Sequence, residues 1–108
     1  MSFVEIKAYV HRNRIADVVD ALYSNGFKNL TVIDVKGMLS ALGSEEQRYS
    51  VEIGKKVVTE VKLELACTDD QEQRAVDLIL QHARTTQRSS GWIYVSHLNS
   101  AIEIKGSE

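Results

Sequence analysis

The sequence predicts one α+β domain over residues 1–108, in the order strand, helix, strand, long connection, strand, helix, strand. Three observations support this. Residues 3–10 and 57–67 alternate apolar and polar side chains, each is followed by apolar residues at helical spacing, and the second half repeats the plan of the first. That order is the double split βαβ of a ferredoxin-like fold, βαββαβ, in which two helices cover one face of a four-stranded sheet.

In the first strand Val4, Ile6, Ala8 and Val10 point to one face, between Glu5, Lys7 and Tyr9. Asn13 is the expected helix cap, and Ile15, Val18, Val19 and Leu22 form the stripe that lies on the strand's apolar face. Asn25-Gly26 stops this helix, because glycine takes up the left-handed conformation of a helix end without steric cost. Phe27 or Leu30 opens the second strand, which is expected to end near Gly37.

The connection that follows is the least regular part of the chain. Residues 40–56 are rich in Ser, Gly, Glu and Lys and hold neither a helical nor an alternating period. A connection longer than about 12–15 residues without periodic structure is uncommon in a compact domain, and it usually carries function.

The third strand shows the clearest alternation: Val57, Thr59, Val61, Leu63, Leu65 and Cys67 face one way and Glu60, Lys62 and Glu64 the other. Thr68, Asp69 and Asp70 before Gln71 and Glu72 mark a helix start, with oxygen acceptors for free amides and negative charge at the positive dipole end. Val76, Ile79, Leu80 and Ala83 supply the second stripe. Residues 92–95 form the fourth strand, and residues 101–105 alternate as a short C-terminal strand. The polar sheet face carries Glu5, Lys7, Tyr9, Glu60, Lys62 and Glu64, whose opposite charges are expected to pair between neighbouring strands; this face is either solvated or an association surface.

Composition excludes several function classes. A net charge of -2, from 13 basic and 15 acidic residues, lacks the positive field that nucleic acid requires. No apolar run approaches the roughly 18 residues of a membrane span, and no signal-peptide pattern opens the chain, so the expected location is cytoplasmic, without membrane insertion. Cys67 is the single cysteine, expected to be buried and inert. His11, His82 and His97 are never spaced i, i+4, so the sequence offers no metal motif. Ser89-Ser90-Gly91 lacks a base at a meaningful spacing, so no catalytic residue and no enzyme is expected.

The blocks IKAYVHRNRIADVVDALYSNGF, LTVIDVKG, VKLELAC, DLILQHARTTQRSSGWIYV and AIEIKG span nearly the whole chain. In these blocks the sequence resembles the PII signal-transduction proteins, as a divergent PII-like member. The resemblance implies a homotrimer with sheets packed toward a threefold axis and adenine nucleotides held in the cleft between subunits. A long T-loop, here about residues 38–56, would touch a partner protein through residues such as Leu42, Glu46, Arg48 and Tyr49. PII-like proteins often regulate transporters, so a membrane transporter is the expected target.

Carried over by position, the resemblance assigns Thr31, Gly37 and Met38 to the nucleotide pocket. It makes Thr85 and Gly91 the ends of a phosphate-binding B-loop. Where the family reads glycine, acidic residue, glycine and lysine, this chain has Ser89, Ser90, Gly91 and Trp92, and two family arginines of the tail correspond to Glu103 and Lys105. A loop glutamine used for magnesium and 2-oxoglutarate is Ala41, and the modified tyrosine falls at Ile53, with Tyr49 nearby but not aligned.

Each charge-assisted hydrogen bond to phosphate contributes about 1.5–3 kcal/mol, so these losses disfavour a triphosphate. Arg84 and Arg88 are either replacement phosphate ligands or solvated helix-end charges, and Trp92 either stacks on adenine or anchors a subunit contact. AMP, ADP or an uncharged adenine compound is the expected regulatory ligand. The alternatives are a constitutive trimeric binding module and, further off, a metal-tolerance trimer of the CutA type.

Overall fold

The computed structural model describes residues 2–34, 60–86 and 90–107. Among these residues are four strands and two α-helices: β1 (Phe3–His11), α1 (Ile15–Ser24), β2 (Leu30–Ile33), β3 (Glu60–Thr68), α2 (Glu72–Ala83) and β4 (Gly91–Leu98). The strands form one sheet in the order β2-β3-β1-β4, with every neighbouring pair antiparallel. This is the ferredoxin-like α+β arrangement expected from the element order.

The core follows from the strand alternation. Val4, Ile6, Ala8 and Val10 of β1 and Val61, Leu63, Leu65 and Cys67 of β3 are buried, while every residue between them is partly exposed. Val18 and Leu22 of α1 and Ala75 and Ile79 of α2 close this layer from one side. Strand β3 therefore keeps the expected inward set from Val61 to Cys67, whereas Val57 and Thr59 lie outside the described residues.

Helix starts and stops are set by local hydrogen bonds. The expected cap Asn13 instead lies within a 3-10 turn, Arg12–Arg14, that leads into α1. The imidazole Nδ1 of His11 accepts the amide of Asn13 at 3.2 Å, so a ring nitrogen one residue before the turn takes the capping role. Helix α1 ends as expected. Gly26 has φ of 93°, and the chain reverses so that the Phe27 amide donates to the Leu22 carbonyl at 3.0 Å. Phe27 is thereby delivered into the core. Thr68 and Gln71 form the expected reciprocal capping box before α2.

Four expectations change. Leu80, expected in the buried stripe, is 48% exposed, and Ala75, one turn before the buried Ile79, is on the inner face. Strand β4 runs on to Leu98, since pairing with β1 continues through the polar residues Ser96 and His97. Residues 101–107 form no strand: the tail has no paired neighbour among the described residues, and Ile102 and Ile104 are 86% and 98% exposed. The closest sheet-face ion pairs run along strands, Glu5 with Lys7 at 3.4 Å and Lys62 with Glu64 at 2.9 Å, while the expected attraction between strands acts at longer range, Lys7 lowering the carboxyl of Glu64 opposite it. Residues i and i+2 share a face, and in both pairs a long lysine stem spans that interval.

Candidate functional site

Three segments meet at one end of the sheet: the last turn of α2, the end of β1 and the start of β4. They enclose a pocket of about 290 Å³ lined by Tyr9, Val10, Ile79, Leu80, Ala83, Arg84, Ser90, Gly91, Trp92 and Ile93. Four sequence-predicted residues, Arg84, Ser90, Gly91 and Trp92, are brought together here.

The pocket's shape depends on Gly91. Its φ is 141°, and a Cβ at this position would sit 1.9 Å from the Tyr9 carbonyl oxygen. Only glycine allows β4 to begin against β1 at this closeness. Before it, the Thr85 amide donates to the Ser90 hydroxyl at 2.9 Å, and the Thr85 and Ser90 hydroxyls lie 2.8 Å apart. Thr85 thus holds Ser90 at the pocket, although it does not line the pocket itself. Arg84 leaves the helix in an extended conformation and is exposed.

Trp92 is 64% exposed. Its indole stacks on Tyr94 with centroids 6.4 Å apart and planes at 16°, and Tyr94 also meets Tyr9 edge-on at 5.9 Å. The three rings therefore gather on the polar face of the sheet, opposite the face that Val10 and Ile93 share with α2. The sequence reading missed Tyr9, Val10, Ile79, Leu80, Ala83 and Ile93 as lining residues; their apolar spacing marks a strand face and a helix stripe, and nothing in it signals a pocket.

The other predicted residues lie apart. Thr31 is on β2, opposite Glu64 and at the sheet edge farthest from β4. Lys105 is exposed in the irregular tail. Gly37, Met38, Arg88 and Ser89, with the loop residues Ala41, Leu42, Glu46, Arg48, Tyr49 and Ile53, lie outside the described residues. A single chain thus places Thr31 and the Gly91–Trp92 pocket at opposite edges of the sheet.

At the root of the long connection, Arg12 makes a two-point contact with Asp34, Nη2 to Oδ1 at 2.9 Å and Nη1 to Oδ2 at 2.5 Å. The hydrogen bond to Asp34 holds the guanidinium pKa above its ordinary value. On the polar sheet face, the hydrogen bond from Lys62 lowers the Glu64 carboxyl below its ordinary value and raises Lys62 above its own. Cys67 is buried, and loss of hydration pushes its thiol up. Among the described residues no group of three His, Cys, Asp or Glu side chains could hold a metal ion, and no helix is long and apolar enough to cross a membrane.

Comparison with known proteins gives one consistent result. Residues 3–108 match the family model described as Nitrogen regulatory protein P-II. The chain is 33% identical to GlnK of Escherichia coli over 95 residues, covering 88% of this chain and 85% of that protein. It is 32% identical to the P-II homolog of Arabidopsis thaliana over 107 residues, covering 98% of this chain but 55% of that relative's length. The crystal structure of Arabidopsis PII bound to citrate superposes with a TM-score of 0.63 at 29% identity, covering 87% of this chain and 75% of that one. In sequence and in fold, the chain belongs to the P-II family of nitrogen regulatory proteins.

Proposed function

We propose that this regulatory protein works as a ligand-responsive trimer, binding an adenine nucleotide between subunits and controlling a partner protein through residues 38–56. The observation that carries this reading is the separation of its two half-sites. Thr31 lies on the edge strand β2 and the Gly91–Trp92 pocket on the opposite edge strand β4, so a ligand touching both must bridge two copies. The exposed sheet face, with Trp92, Tyr94 and the Lys62–Glu64 pair, supplies an association surface.

The ligand would carry few phosphates. Among the described residues lining the pocket, Arg84 is the one charged side chain, and the tail places Glu103 two residues before Lys105. AMP, ADP or an uncharged adenine compound fits this better than ATP. The related Arabidopsis PII is bound to citrate in its crystal structure, so a small carboxylate is a second ligand class to test. The protein would act by binding rather than by catalysis, as one domain in the cytoplasm, with a membrane transporter as the target to test first. Calorimetric titration with AMP, ADP, ATP, cyclic AMP, citrate and bicarbonate tests the reading. Binding of AMP or ADP at least as tight as ATP supports it, and the absence of any nucleotide binding shifts the function to a constitutive binding module.

A further inference from the structure

We infer that Arg14 is a positioning residue for the ligand site: it fixes the end of α2, and through it the α2 side of the pocket at the start of β4, without lining the pocket itself. Its effect on a ligand rests on the nucleotide reading, whereas its effect on the end of the helix does not.

The end of α2 needs a partner from elsewhere in the chain. Helix α1 closes on itself, with Gly26 at φ of 93° and the Phe27 amide donating to the Leu22 carbonyl. At the end of α2 the chain instead leaves extended at Arg84, with φ of -61° and ψ of 139°, so no left-handed turn brings amides back to the last carbonyls. The donor comes from 68 residues earlier: Arg14 Nε donates to the His82 carbonyl at 2.9 Å in a part-buried contact. Its positive charge also lies at the negative end of the helix dipole.

Arg14 is itself held in place. Its Nη1 pairs with Asp17 at 3.0 Å, and it ends the 3-10 turn in which the Asn13 amide donates to His11 and Arg12 grips Asp34. A donor locked by such supporting contacts holds its acceptor in one place. The residues that follow His82 are the ones the pocket uses: Ala83 and Arg84 line it, and the Thr85 amide donates to the Ser90 hydroxyl at 2.9 Å. Farther from its end, α2 is docked without Arg14, by the buried Ala75 and Ile79 and by Arg74, whose Nη2 donates to Asn25 Oδ1 at 2.9 Å. Loss of Arg14 should therefore release the end of α2 and leave the rest of the helix where it is.

The test follows the Thr85 amide by hydrogen exchange and AMP binding by calorimetry. In Arg14→Met, which has neither donor nor charge, Thr85 exchange should rise roughly 3- to 30-fold while amides of β1 and β3 keep their wild-type rates. AMP should bind roughly 2- to 10-fold more weakly. Arg14→Lys, which keeps the charge and a donor, should recover most of both losses. Thr85 exchange that stays at the wild-type rate overturns the inference, as does a rise shared equally by β1 and β3, which marks general destabilisation. AMP binding that Arg14→Met leaves unchanged overturns it too. If the wild type binds no AMP, the nucleotide reading fails and the exchange rates alone decide the inference. A measurement on the wild type covers the case of a variant that does not fold: the Nε proton of Arg14 should exchange more slowly than that of the exposed Arg84, and equal rates overturn the inference.

Discussion

Arg12, just after β1, grips both carboxylate oxygens of Asp34, just after β2, although β3 lies between those two strands in the sheet. The contact therefore ties the point where the chain leaves the sheet to a strand that β2 never touches. Because the pair is exposed, it should set local order far more than global stability. Arg12→Ala should leave the melting temperature nearly unchanged while speeding amide exchange at Val32–Asp34, and the swap Arg12→Asp with Asp34→Arg should restore slow exchange. An unchanged exchange rate in Arg12→Ala would show that the pair does not hold the strand end.

Gly91→Ala should be among the most damaging single substitutions at the surface. The new Cβ would meet the Tyr9 carbonyl oxygen at 1.9 Å, with a backbone φ of 141° that side-chain-bearing residues rarely adopt. Separating β4 from β1 and straining the backbone should cost more than about 3 kcal/mol, measured by denaturant unfolding. A loss under about 1 kcal/mol would mean that β4 can start elsewhere.

Leu63 is fully buried at the centre of β3, flanked on both sides of the sheet by paired strands. Leu63→Ala should cost about 2–5 kcal/mol, because the surrounding strands cannot collapse onto the space it leaves. The exposed Leu80 provides the contrast: Leu80→Ala should cost well under half as much, in the same unfolding experiment.

Stability should fall at both ends of the pH scale, for different reasons. Glu64 has a lowered pKa in the folded state, so its contribution is present above its ordinary value of 4.5 and is lost as pH falls through the lowered one. Lys62, raised by the same hydrogen bond, contributes below its ordinary 10.5 and loses that contribution as pH rises beyond it. Cys67 is raised by burial, so the folded state loses ground as pH climbs above 9.0, where the unfolded thiol ionises first. Melting temperatures measured across pH should show a shallower acid limb in Glu64→Gln and a shallower limb just above pH 9.0 in Cys67→Ala. Parallel curves for variant and wild type would remove these groups from the account.

Much of this fold could be read from the chain because its strands are one-sided. The alternation in β1 and β3 is carried by β-branched and aliphatic residues against charges, and burial follows it residue for residue. What escaped the sequence depends on neighbours. Which side of α2, that of Leu80 or that of Ala75, turns inward is set by packing on the sheet, and Ser96 and His97 are in a strand because β1 is there to pair with them. The tail shows the converse, since Ile102 and Ile104 alternate without a strand partner among the described residues. The charges of the polar face have the right residues but a different geometry, with their closest pairs along strands and the attraction between strands at longer range. Of the candidate site, the polar and aromatic residues of the turn were legible, whereas its apolar walls come from the end of a helix and a strand far apart in sequence.

The central claim, that the ligand site is completed between copies, is tested most directly by mixing two impaired proteins. Thr31→Phe should block the β2 half-site and Trp92→Ala should weaken the β4 half-site, each greatly reducing AMP binding in calorimetry on its own. When the two are denatured and refolded together, some interfaces join an intact Thr31 edge to an intact Trp92 edge. The account predicts that AMP binding of wild-type affinity then reappears, at a fraction of the sites. Binding that stays absent in the mixture, or that survives in either variant alone, would contradict it.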